Sequence, residues 1–325
     1  MKKYLFILFL FIAAAITVQA EESVWAVYSP DNINSDFDLL TIVGPDDRVD
    51  ITANAKGTEK AIVLLEISDQ EGLYAYCSGA MLGYDIVLTA AHCLIEKGKF
   101  LNSIKVYAPA LNNAGNTTAP AQKNTTENRQ ISWDNYVKLP EGFFEDVTEE
   151  INNQVQKTLN EMPSAKATQM FVPAQYITYS QQDLKIKNHY DYGVLILDKP
   201  LGLATGWFGL KAKSDYRLSN ANIVTFGFPD DKPDNTLWKS KGNIGAVWDY
   251  TFAFNADILH GNSGGPIVLE NKPDEIIGIT IGQCTEIGDY SDGGYPNIAL
   301  RLTDSVTNII NQQKRQGNQY LLPKD

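Results

Sequence analysis

A chain of 325 residues with 44% apolar and 20% charged side chains can bury a full core in one large or two medium domains, and is too apolar to be disordered along most of its length. Its formal net charge of −12, with no cluster of Lys and Arg, excludes a nucleic-acid binder, which must neutralise phosphates.

The first predicted element is the leader MKKYLFILFLFIAAAITVQA, residues 1–20: a short basic end, an apolar run, and small residues at Val18-Gln19-Ala20 suited to a signal-peptidase site. The alternative is a membrane anchor. The run from Tyr4 to Val18 is short for a spanning helix, however, and Glu21 and Glu22 follow at once. Secretion with cleavage after Ala20 is the expectation, to the extracellular space or a periplasm. No later segment is apolar for long enough to span a bilayer, so no membrane association is expected of the mature chain. In an oxidising compartment the three cysteines, Cys77, Cys93 and Cys284, should give one pair and one leftover thiol.

From Ala61 onward short strands alternate with turns. Predicted strands include 61–67, 80–90, 103–109, 192–198, 222–229, 265–270, 276–282 and 297–302, with turn signals such as PDDKPDN and ENKPDE between them. Many short strands without regular helix alternation point to an all-β sandwich or barrel. Two segments interrupt this pattern. Residues 110–130 read as a polar loop, and 146–162 place Val147, Ile151, Val155 and Leu159 four apart on a helical stripe, with Asp146 or Thr148 as cap and Pro163 beyond its end. A last helix is predicted over 303–316, with Val306, Ile309 and Ile310 on one face. No internal repeat is visible.

The chemistry concentrates in HGNSGGP, residues 260–266. A serine nucleophile needs a tight turn with backbone N–H groups aimed where an oxyanion forms, and Gly261, Gly264 and Gly265 permit one. Ser263 is the candidate nucleophile, and the N–H groups of Gly261 and Ser263 are the candidate oxyanion donors. A glycine-rich hairpin turn is the bland alternative. Serine is a weak nucleophile without a base, and the chain has only His92, His189 and His260. His92 closes the apolar run VLTAAHC, where Ala90 and Ala91 allow a sharp turn, whereas His189 and His260 read as surface residues. A base needs a carboxylate to orient it. DYGVLILDKP offers Asp191 and Asp198. Asp191 precedes the strand, with Gly193 allowing close packing, and Asp198 leads into a solvated turn, so Asp191 is chosen.

TAAHC, DYGVLIL and GNSGGP, in the order His, Asp, Ser, resemble the chymotrypsin-type (trypsin-like) serine peptidases. IVGPDDRVDIT (42–52), GFP (227–229) and GNSGGP are more narrowly similar to the bacterial glutamyl-endopeptidase group. The resemblance runs from about Ile42 to about Ile310, with 110–168 as an insertion that accounts for the 99 residues between His92 and Asp191. It implies two six-stranded antiparallel Greek-key β-barrels, 42–200 and 201–325, with a C-terminal helix and a partly helical insertion in the first barrel. His92 and Asp191 would come from the first barrel and Ser263 from the second.

The implied activity is that of a secreted serine endopeptidase acting on protein or peptide substrates, monomeric, with no cofactor and no metal. A catalytically silent or latent binding protein on the same fold is the alternative, and an esterase ranks third. The resemblance also implies a Cys77–Cys93 disulfide, worth about 3 kcal/mol for a loop of about 15 residues in the chain-entropy model. That leaves Cys284 a thiol. Residues 21–41 would be a pro-segment, with Ile42 the new N-terminus of an activated zymogen. Asn262 stands where digestive relatives carry an aspartate that pairs with the freed N-terminal amine. Being neutral, it cannot form that ion pair, but it can hydrogen-bond locally.

The group's glutamate-binding threonine and histidine positions hold Ile258 and Thr280, so glutamate is expected to be disfavoured as the residue before the scissile bond. Gly282 is a further pocket candidate. Asp257 either forms an acidic pocket wall that attracts Arg or Lys or points away from the pocket, as the same residue can in glutamyl relatives. Basic residues are the first choice and apolar or small ones the second.

Overall fold

The computed structural model describes residues 25–27, 42–68, 75–96, 98–112, 164–179, 184–283 and 294–317. Its strands are β1 (Trp25–Val27), β2 (Val49–Asp50), β3 (Ile62–Ser68), β4 (Ala75–Met81), β5 (Ile86–Thr89), β6 (Ile95–Glu96), β7 (Lys99–Phe100), β8 (Ser103–Tyr107), β9 (Ser164–Pro173), β10 (Gly193–Leu197), β11 (Gly209–Leu210), β12 (Asn222–Gly227), β13 (Trp238–Val247), β14 (Thr251–Phe254), β15 (Pro266–Leu269), β16 (Lys272–Gln283) and β17 (Asn297–Arg301).

Six of these strands close on themselves in the order β9-β10-β5-β4-β3-β8, because β9 is long enough to serve both ends. Its Ser164–Lys166 stretch pairs with β8 while Ala167, Gln169, Met170 and Phe171 pair with β10. A second ring runs β16-β15-β12-β13-β14-β17 and closes through the β16–β17 pair. All pairs within both rings are antiparallel. Closure removes the open edges that a sheet of Val, Ile and Leu would otherwise present. Fully buried side chains such as Leu65, Met81, Leu88 and Ile104 fill the first barrel, and Phe252, Phe254, Ile267 and Ile277 the second. The expected all-β architecture of two six-stranded barrels is therefore present.

Several expectations shift in detail. The single strand predicted over 80–90 is two, β4 and β5, because the 82–85 turn folds Leu88 back onto Ala80. Residues 164–168, assigned to the insertion, begin β9: pairing on both sides engages a Lys- and Thr-bearing stretch that has little strand signal of its own. The polar loop and the helix predicted within the insertion lie outside the described residues, apart from a helical turn at Pro109–Asn112. The C-terminal helix spans Asp304–Gly317 and buries Val306 and Ile310. Among the described residues no helix is long and apolar enough to cross a membrane.

The segment from Ile42 to Asp50 does not belong to the first barrel. β2 pairs with β13 of the second, Asp50 opposite Trp238. Arg48, 8% exposed, pins the same segment down by reaching Asp46 at 2.9 Å and Asp231 at 2.5 Å. Within the expected pro-segment, β1 lies antiparallel along the far end of β9, with Val27 opposite Phe171.

Candidate active site

β5 ends at Thr89, and a single tight turn, Ala91–Cys93, presents His92 beyond it. Ala90 and Ala91 are fully buried, so the turn is packed too closely for larger side chains. β10 runs antiparallel to β5 with Gly193 opposite Thr89, which brings Asp191, two residues before that pair, beside the turn. One Asp191 carboxylate oxygen accepts the His92 backbone N–H at 2.9 Å, and the other lies 2.8 Å from His92 Nδ1. Asp191 is 2% exposed. Burial pushes its carboxyl upward, but the adjacent His92 charge and hydrogen bonds, aided by Lys187, outweigh this and hold it below the usual 3.8. A buried carboxylate that fixes both backbone and ring of a half-exposed histidine is an orienting group. Asp198, by contrast, is turned to the Lys166 backbone N–H at 2.7 Å in an exposed turn.

The disulfide joins Cys77 on β4 to Cys93, immediately after His92. With both sulfurs bonded to each other, the cluster of Cys77, His92 and Cys93 holds no thiolate for a metal. Cys93 Sγ also lies 3.7 Å from the Ser263 carbonyl oxygen, so the bridge touches the serine loop itself. Ser263 is half-buried. Cys284 lies outside the described residues.

Four successive carbonyls fix the loop that carries Ser263. His260 C=O accepts Asp230 N–H at 2.8 Å, Asn262 C=O accepts Gly265 N–H at 2.8 Å, and Ser263 C=O accepts Ser78 N–H at 2.8 Å. Gly261 C=O accepts the Ser78 hydroxyl at 2.6 Å. In a trans peptide the C=O and the following N–H point in opposite directions, so anchoring the carbonyls of His260 and Asn262 sets where the N–H groups of Gly261 and Ser263 point. Neither N–H donates to another group among the described residues. Gly261 sits at φ +87°, and a Cβ there would come within 2.1 Å of Phe228 O. Gly264, at φ +78°, would bring a Cβ within 2.1 Å of Thr89 Oγ1. The glycines are thus required by backbone conformation and by the closeness of the two barrels. Asn262 is 3% exposed, and its Oδ1 accepts Leu259 N–H at 3.2 Å, a local bond that stiffens the turn.

Of the two readings of Asp257, the structure favours the one that points away from a pocket. Asp257 is 3% exposed, and its carboxylate accepts the backbone N–H of Val43 at 2.6 Å and of Asp47 at 3.2 Å. The expectation of an acidic wall that draws in Arg or Lys is therefore corrected: these oxygens hold the N-terminal segment. Ile258 is fully buried, and the Thr280 hydroxyl lies 3.3 Å from that of Thr225 in a buried pair. Gly282 is buried, and a Cβ there would meet only Ile298, at 3.7 Å. None of these three carries a charge. His189, expected at the surface, is half-buried and stacks on Tyr250 at 4.7 Å between ring centroids; His260 is also half-buried.

Sequence reasoning did not find Ser78 or Asp230. Both contact the serine loop from a distance along the chain, Ser78 from 183 residues before Gly261, and nothing local marks Asp230. The one signal for Ser78 is its place next to the bridged Cys77.

Comparison with known proteins agrees with the fold. A glutamyl endopeptidase of Bacillus licheniformis is 25% identical over 238 residues, 73% of this chain and 57% of that protein's own length. The glutamyl endopeptidase of Staphylococcus aureus strain MW2 is 33% identical over 96 residues, 29% of this chain and 25% of that protein. The chain thus matches little more than half the length of the first relative and a quarter of the second. A solved structure of a Glu endopeptidase in complex with MPD shares the fold, with TM-score 0.58 and 19% identity over 85% of this chain and 100% of that one. The family model described as Trypsin matches residues 49–140 and 146–310, well over half of the sequence, and the chain belongs to that family.

Proposed function

We propose that the chain is a secreted serine endopeptidase that forms an acyl-enzyme on Ser263. The observation that carries this reading is the double hold of buried Asp191 on His92, with Ser263 on a loop whose two N–H groups are unengaged. In the reaction, His92 Nε2 takes the Ser263 proton as Oγ attacks the scissile carbonyl, and Nδ1–H stays bonded to ionised Asp191. The N–H groups of Gly261 and Ser263 receive the oxyanion. His92 then protonates the leaving amine, which departs as the acyl-enzyme forms. Water, deprotonated by His92, attacks the ester and releases the acid and free Ser263.

The pocket candidates that remain, Ile258, Thr280 and Gly282, offer no cation to a glutamate and no carboxylate to an arginine. Small or apolar residues before the scissile bond are the preference they support. Removal of residues 1–20, and then of 21–41 to begin the mature chain at Ile42, completes the reading, with the enzyme acting as a monomer.

The test is a fluorophosphonate probe together with a peptide library on purified mature protein, wild type beside Ser263→Ala. Labelling and cleavage by wild type alone support an endopeptidase, and ester turnover without peptide cleavage supports an esterase. If wild type neither labels nor cleaves, the reading fails in favour of a silent binding protein.

A further inference from the structure

Ser78 is fully buried on β4 and makes four directed bonds, each to a part of the candidate site. Its N–H donates to Ser263 C=O at 2.8 Å. Its hydroxyl donates to Gly261 C=O at 2.6 Å and accepts Phe228 N–H at 3.0 Å. Its own C=O accepts the Thr89 hydroxyl at 2.8 Å, three residues before His92. Phe228 in turn lies against Gly261, since a Cβ on that glycine would meet Phe228 O at 2.1 Å. One residue of the first barrel therefore meets the serine loop and the chain just after β12 of the second barrel with its side chain, and through its backbone carbonyl the strand that leads to His92. β4 is placed for this by packing against β12 and β15.

The consequence lies in the Gly261–Asn262 peptide, which sits between the two oxyanion donors. Gly261 at φ +87° is in a backbone region where glycine is free to choose among orientations, so its own torsions do not hold this peptide. The Ser78 hydroxyl holds its carbonyl end, and Leu259 C=O holds its other end by accepting Asn262 N–H at 3.0 Å. We propose that Ser78 is a positioning residue for the oxyanion donors, holding the Gly261 carbonyl on the side away from the reacting atoms so that the neighbouring Gly261 and Ser263 N–H groups stay aimed. The clamp consists of a hydroxyl and backbone groups, with no ionised partner. It assembles on folding and does not wait for a chain end to be freed. The proposal deepens the peptidase reading and rests on it for its kinetic part.

The experiment compares Ser78→Ala, which leaves Gly261 C=O and Phe228 N–H buried without this partner, with Ser78→Thr, which keeps the hydroxyl. Expected for Ser78→Ala is a fall in kcat of about 10- to 100-fold with KM within about twofold. Affinity for a peptide aldehyde, which forms a tetrahedral adduct, should fall in step, while that for the cleaved product peptide holds. Ser78→Thr should recover most of kcat. A crystal structure of Ser78→Ala should show the Gly261 carbonyl turned from its wild-type direction. That arm decides the proposal even if wild type proves inert, in which case the peptidase reading falls by itself. Wild-type kcat in Ser78→Ala, a loss confined to KM, or an unmoved Gly261 carbonyl overturns the proposal. So does failure of both Ser78→Ala and Ser78→Gly to fold, because Ser78 would then hold the barrel and not the loop.

Discussion

Asp191 grips His92 at two points, the backbone N–H at 2.9 Å and ring Nδ1 at 2.8 Å, from a position 99 residues later in the chain. The backbone bond locates the turn and the ring bond selects the tautomer. In Asp191→Asn the amide can still meet the turn, but it can favour the wrong tautomer and cannot stabilise a charged ring. The kcat of that variant should fall by roughly 10⁴-fold with the fold retained. The carboxyl is depressed on folding, so its contribution to stability is present above the ordinary 3.8 and lost as pH falls through the lower folded value. The Tm gap between wild type and Asp191→Asn should therefore be widest near neutral pH and narrow in acid. A kcat within tenfold of wild type would contradict the role.

Asp257 links the segment after the expected processing site to the chain that leads into the serine loop. With its oxygens on the N–H groups of Val43 and Asp47, peptides with Arg or Lys before the scissile bond should be cleaved no faster than those with Leu or Ala, and Glu peptides slower. Asp257→Asn should leave this ranking intact while weakening two charge-assisted bonds, at a cost of about 1–3 kcal/mol. Matched peptide rates and urea unfolding check both halves. A strong preference for Arg that disappears in Asp257→Asn would restore the acidic-pocket alternative.

Asp85 is 1% exposed in the turn between β4 and β5, and its Oδ1 has no hydrogen-bond partner among the described residues. Burial pushes its carboxyl up to about 7 from 3.8, against a lowering bond from its own backbone. Between those two values the folded chain holds a proton that the unfolded chain has released, so stability declines as pH rises through this window. At about 1.4 kcal/mol per pH unit the loss reaches roughly 4 kcal/mol at most. Asp85→Asn should match wild type near pH 3.5, gain stability progressively to pH 7, and hold a constant advantage above it. Chemical denaturation across pH 4–9 reads this directly, and a constant difference across that range would refute it.

The Cys77–Cys93 bridge closes 16 residues of sequence separation around the strand that leads to His92. The double variant Cys77→Ala/Cys93→Ala should lose about 3 kcal/mol of stability. It should also lose activity beyond that, because Cys93 Sγ lies against the Ser263 carbonyl. With two of the three cysteines bridged, unfolding without reductant should release one titratable thiol per chain, from Cys284. Finding none would mean that Cys284 is itself bonded or modified.

The features legible in the sequence by itself are those that depend on near neighbours. Apolar β-branched runs such as IVLLEI are stiff and suit a buried sheet, so they mark β3, β10, β15 and β17 within a residue or two. His92, Asp191 and Ser263 each sit in a short run whose small residues serve the same local turn, which makes each motif visible where it stands. β9 and β13 carry Lys, Gly, Thr and Asn among their residues, and they are strands because neighbours on both sides take up their backbone groups. For β9 one of these neighbours, β8, lies about sixty residues earlier in the chain, whereas β13 is held by the strands just before and just after it. Asp257 has two directions open to it in the sequence, and the choice comes from the Val43 and Asp47 amides more than 200 positions earlier. Ser78 is one serine on one strand until β4 packs against β12 and β15 and its hydroxyl finds the Gly261 carbonyl. A buried polar group must find a partner, and only closure of the two barrels against each other determines which partner is within reach.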